Sequence, residues 1–157
     1  MHTVLSRLWL LATLLLCPAL CPTLWAVEPA VPGISVIMAP GAVLPKLTRE
    51  ELALIFEKKK RFWDDGERIQ AVNLSATNAL RRAFSMQIYG QSPEELDDYW
   101  RDMYFHGVLP PYVLASEEAV IRFVASTPGA IGYISRCLTD HRVSVIMRLD
   151  AGSACVH

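Results

Sequence analysis

The sequence predicts a single α/β domain, built on a small, mostly parallel sheet flanked by about four helices. Three observations predict it. Short apolar runs alternate along the chain with amphipathic stretches of helical period, the order that lays helices across a parallel sheet. Helix starts are marked by capping boxes at Thr48 to Glu51 and Ser92 to Glu95, and by Ser116 ahead of a further apolar stripe. Finally, 52% of the 157 residues are hydrophobic and 20% charged, the balance of a globular chain rather than a disordered one.

Part of that apolar content belongs to the first 26 residues. Arg7, the run Leu8 to Leu16 and a Cys-Pro-rich tail ending Leu24-Trp25-Ala26 read as a secretory signal cleaved after Ala26. The apolar run is shorter than the roughly 18 residues of a spanning helix. Pro18 and Pro22 interrupt the stretch after it. Cys17 and Cys21 each follow a leucine, whereas a lipid-attachment signal wants a small residue there. Cleavage would leave 131 residues with no membrane span. Since the removed segment carries Arg7 and no acid, the net charge of −1 would become −2. That balance points away from nucleic acid and from anionic membrane surfaces. Cys137 and Cys155 then form an even pair in an oxidising setting, and a disulfide is the default expectation.

Val27 to Gly33, rich in proline and small residues, reads as a flexible tether, with the folded domain expected from 34 to 150 and a tail over 151–157. Ile34 to Met38 is a short buried strand ended by Ala39-Pro40-Gly41. After the Thr48 box, Leu52, Ile55 and Phe56 define a helix to about Lys58. The basic run Lys58 to Arg61 reads as a solvated last turn favoured by the helix dipole. Phe62-Trp63-Asp64-Asp65-Gly66 supplies aromatic anchors and an Asp-Gly turn into a second strand, Ile69 to Asn73. Two strands around one helix suggest a parallel βαβ unit. A second helix begins after Thr77, with Leu80, Ala83, Phe84 and Ile88 on one face and Arg81 and Arg82 near its start.

The Ser92 box opens a third helix whose stripe, Leu96, Tyr99, Trp100 and Met103, is expected to pack in the core. Leu109-Pro110-Pro111 is a stiff extended linker. The fourth helix carries Val120, Phe123 and Val124 and stops at Thr127-Pro128-Gly129. Ala130 to Ser135 is a strand in which Gly132 allows close backbone approach, and Val143 to Met147 is the last strand.

The segments LTREELALIF with FWDDG, VNLSATNALRRAF, YWRDMYFHG with LPP, and VASTPGAIGYIS stand in an order that resembles the periplasmic phosphate-binding-protein family, the solute receptors of phosphate ABC transporters. The similarity spans roughly Ile34 to Ser135 and is nearer to the short, single-lobe members. It implies a class II periplasmic-binding-protein fold, a periplasmic location, solute binding without catalysis or cofactor, and an ABC permease or another envelope protein as partner. Full-length members read Arg-x-Asp-x-Ser-Gly-Thr at a helix start, where the hydroxyls, the glycine amide and the arginine hold phosphate. Here the frame reads Ala71-Val72-Asn73-Leu74-Ser75-Ala76-Thr77, keeping the hydroxyls but not the arginine, acid or glycine. The first-lobe Gly/Ser phosphate loop also has no counterpart in this sequence.

The candidate site is one for an anionic ligand at a helix start: Ser75, Thr77, Asn78 and Arg81, for phosphate or another small oxyanion. Arg81 replaces the missing arginine only by folding back one helical turn. The competing reading is a domain that kept the fold, lost the ligand and acts through protein contacts. Cys137, His141, Cys155 and His157 have ligand chemistry but match no standard zinc spacing, so no metal is expected. Asp64, Asp65, Asp97 and Asp98 are paired acids in solvated positions, and no nucleophile or zincin motif is present.

Overall fold

The computed structural model describes residues 33–42 and 45–149. The signal, nearly all of the tether and the tail lie outside the described residues. The order is β1 (Ile34–Met38), α1 (Arg49–Phe56), β2 (Gln70–Leu74), α2 (Ala79–Tyr89), α3 (Asp97–Phe105), β3 (Tyr112–Leu114), α4 (Glu117–Ser126), β4 (Ala130–Ser135) and β5 (Ser144–Leu149). Short 3₁₀ turns at Glu94–Leu96 and Arg136–Leu138 complete it.

The strands form one sheet in the order β3-β2-β4-β1-β5. β2 pairs in parallel with β3 and with β4, while β1 runs antiparallel to both β4 and β5. Four strands therefore share one direction and β1 alone opposes them. The expected parallel unit of β1, α1 and β2 does not form, because β4 lies between the two strands and β1 points the other way. All five residues of β1 are buried, so its apolar run shows that both faces are covered without indicating its direction.

Successive residues of β4 show the layering. Gly132 faces α4, where an added Cβ would touch Val120 and Val124. Its neighbour Tyr133 points to the opposite face. There its ring stacks on Phe84 of α2 at 3.9 Å and meets Phe56 of α1 at 5.8 Å. Helices thus cover both faces of the sheet. The Thr48 capping box holds in full, with Glu51 N–H donating to Thr48 Oγ1 and Thr48 N–H to Glu51 Oε2.

Two further expectations are corrected, and one strand is not foreseen. The linker Leu109 to Pro111 leads into an edge strand, β3, too short for a period to reveal it. The Ser92 box caps a 3₁₀ turn, and α3 itself has no buried residue. Its stripe is only partly covered because α3 lies in the crossover beyond the sheet edge, tied to the end of α1 by Tyr99 O–H donating to the Glu57 carbonyl at 2.8 Å. Lys58 falls after α1 rather than in its last turn, in the left-handed region at φ 62°. Its N–H donates to the Ile55 carbonyl and that of Lys59 to the Leu54 carbonyl. This is a Schellman closure with lysine where glycine is usual.

Candidate functional site

At the C-terminal end of β2 the chain turns through exposed Ser75, Ala76 and Thr77 into α2. The Ser75 and Thr77 hydroxyl oxygens lie 3.0 Å apart. Asn78 is the N-cap, its Oδ1 accepting from Leu80 N–H at 2.8 Å and Arg81 N–H at 3.3 Å. Asn78 N–H in turn donates to the Ser75 carbonyl at 2.9 Å. The cap uses two of the N–H groups an anion at this terminus would otherwise meet.

Arg81 folds back one turn from α2 to β2. Its Nη1 donates to Asn73 Oδ1 at 2.8 Å, and the residue is only 7% exposed. Asn73 Oδ1 also accepts from the Tyr133 hydroxyl at 3.2 Å, while the Leu74 N–H donates to that hydroxyl at 3.3 Å. A strand end, a helix start and β4 are thereby joined under the Ser75–Thr77 turn. Burial pushes the Tyr133 phenol up, and the nearby Arg81 guanidinium works against that shift.

Arg81 carries a permanent charge, and a buried charge is costly unless it is paired. Among the described residues no carboxylate lies within ion-pair distance of it, and its side-chain partner is the neutral Asn73 amide. The turn above it offers hydroxyls and no acid. Such a set suits a small anion. Ala71, in the frame position of the family's arginine, is buried in β2 opposite Ile131, so Arg81 is the arginine at this strand end.

Of the predicted residues, the structure places Ser75, Thr77 and Asn78 on one turn and Arg81 beneath it. Tyr133 was not foreseen as a partner. Its only sequence signal is an aromatic hydroxyl in an otherwise aliphatic strand. Among the described residues no cluster of three His, Cys, Asp or Glu side chains could hold a metal ion. Asp64, Asp65, Asp97 and Asp98 are all exposed. Cys155 and His157 lie outside the described residues. No helix among the described residues is long and apolar enough to cross a membrane.

The sequence matches no family model and no curated protein. Solved structures do match. A candidate phosphate ABC transporter substrate-binding protein of Clostridium perfringens, with bound phosphate, aligns at TM-score 0.62 and 24% identity over 76% of this chain and 46% of its own. An ABC-type phosphate transport receptor of Vibrio cholerae aligns at TM-score 0.62 and 24% identity, over 74% of this chain and 46% of its own. PstS of Borrelia burgdorferi aligns at TM-score 0.53 and 19% identity, over 69% and 42% respectively. The chain spans about half the length of these proteins, and what it shares with them is the fold of one lobe of a phosphate substrate-binding protein.

Proposed function

We propose that this chain is an exported, periplasmic solute-binding-like domain, without catalytic activity, that takes a small oxyanion such as phosphate at the start of α2. Arg81 supplies the charge, the Ser75 and Thr77 hydroxyls supply hydrogen bonds, and Asn78 organises the terminus through its cap. An ABC permease or another envelope protein is the partner such a domain would serve. The observation that carries the reading is Arg81, a buried guanidinium with a neutral partner beneath a hydroxyl-lined turn. The phosphate-bound Clostridium perfringens protein of the same fold supports it.

Calorimetry with phosphate and with sulfate tests this reading. Wild-type protein should give saturable heat, Thr77→Ala should weaken binding several-fold, and Arg81→Met should abolish it. Arg81→Met should stay folded, since replacing a buried charge by an apolar side chain of similar length is neutral or stabilising. Absence of heat with either anion would refute the anion site. It would favour the second reading, a ligand-free interaction module, to which Ala71 and Ala76 in place of arginine and glycine already lend support.

We also propose that Cys137 and Cys155 are bridged. Ser135 at the end of β4 and Leu149 at the end of β5 both register with Ile34, on either side of β1. The two strands therefore leave the sheet at the same end, about 10 Å apart at two strand spacings. The six residues from Leu149 to Cys155 reach roughly 20 Å when extended, enough to close that gap.

A further inference from the structure

A groove of about 500 Å³ opens between Lys58, Arg61 and Arg68 on one side and the stretch 107–113 on the other. Its floor is the sheet edge. β3 pairs with β2 through Tyr112, Val113 and Leu114 and has no strand on its outer side among the described residues. Free edges are usually blunted by charge or a covering element. This one is left apolar, with Tyr112 73% and Val113 63% exposed, and Leu109 63% exposed just before them.

The charge of the groove is equally one-sided. Lys59 pairs with Glu57, and Lys60 with Glu51 and Asp64. Lys58, Arg61 and Arg68 make no ion pair among the described residues. Burial, and then the like charge of Arg68, hold the Lys58 ammonium below its ordinary range. A second carboxylate-bearing surface would relieve that repulsion. Lys58 also keeps a left-handed backbone that glycine would adopt more easily, so this cation is held on the groove against a local preference.

We propose that this groove docks an acidic, extended segment of a partner protein, which adds to the sheet along β3 while its carboxylates meet Lys58, Arg61 and Arg68. Main-chain pairing gives affinity in such strand addition, and side chains at alternate positions give specificity. A second copy of this chain fits poorly, because pairing two β3 edges would bring two cationic clusters together. An anionic lipid surface matches the charge but offers nothing to the free N–H and C=O groups of an edge strand. The proposal does not use the anion site: the groove's cations precede β2, while β3 itself pairs with Val72–Leu74, the half of β2 that leads to the Ser75–Thr77 turn.

The test uses the whole protein and a labelled octapeptide of alternating valine and glutamate. Anisotropy should show saturable binding that falls at least tenfold when alternate peptide nitrogens are methylated, a change that blocks strand pairing and leaves every side chain. Lys58→Gly combined with Arg68→Ala should weaken binding at least tenfold, and the glycine suits the backbone, so loss of fold would not explain it. Amide shifts should concentrate on residues 112–114. Phosphate should not compete, whether or not phosphate itself gives heat in calorimetry. Equal affinity for the methylated peptide, no binding at millimolar peptide, or binding to vesicles of phosphatidylglycerol and phosphatidylcholine without peptide binding would each overturn the proposal.

Discussion

A Cβ added at Gly132 would sit 2.7 Å from Val120 Cγ1 and 3.0 Å from Val72 Cγ2, so these buried valines would have to move to admit it. At Gly129 it would sit 2.3 Å from the Arg68 carbonyl oxygen, which is backbone, and φ there is +67°. The Gly129 peptide is itself held in place by Gln70 N–H and Trp63 Nε1–H, both donating to its carbonyl oxygen. Gly132→Ala should therefore cost about 1–3 kcal/mol, the range for overpacking a core. Gly129→Ala should cost more, since about 1–2 kcal/mol of left-handed strain adds to the clash. Urea unfolding with unchanged m-values reads both, and a smaller loss at Gly129 than at Gly132 would contradict this ordering. The candidate site divides in the same way between local and distant causes. Ser75, Thr77 and Asn78 lie within four residues of chain at the strand-to-helix turn, and of the three Asn78 is the one that caps α2. The Arg81–Asn73–Tyr133 group was not legible, because Tyr133 arrives from 60 residues away.

Elements whose signals are local were read correctly: the Thr48 box, the stop of α4 before Pro128, and the close approach at Gly132. Those decided by what covers them were not. α3 has a clear apolar period but is only partly covered, and β3 has three residues and no period at all. Between α4 and β5 a further tie was invisible in sequence. Arg142 donates to both carboxylate oxygens of Glu118, at 2.7 and 2.9 Å, and to Asp140 at 2.7 Å. The guanidinium holds the Asp140 carboxyl down to about 2 and lowers that of Glu118. Because the folded values lie below the unfolded ones, near 4, this stabilisation is present above about pH 4 and is lost as pH falls through about 2. Arg142→Gln should accordingly lower the melting temperature at pH 6 and converge with wild type near pH 2. A difference that persists unchanged at pH 2 would show that Arg142 acts through packing instead.

For the molecule as a whole, the least local feature is β1, which opens the described chain and sits between β4 and β5, its partners in registers such as Ile34 with Ser135 and with Leu149. Pairing at that separation requires closing most of the chain, so the β4-β1-β5 half of the sheet gains little from local structure. β5 is also an edge strand, and among the described residues its only strand partner is β1. A bridge from Cys137 to Cys155 would close a loop of about 18 residues around β5 and pin its exit beside that of β4. The chain-entropy model assigns such a loop roughly 3 kcal/mol. Reductant should thus lower the unfolding free energy by about that amount, Cys155→Ser should cause the same loss, and reductant should add nothing to Cys155→Ser. Alkylation of the exported protein without reduction should modify neither cysteine. Two modified thiols, with stability indifferent to reductant, would mean that β5 is held by its ladder to β1 alone. Cys155→Ser would then be silent, and the C-terminal half of the sheet would owe its closure to backbone pairing and core burial.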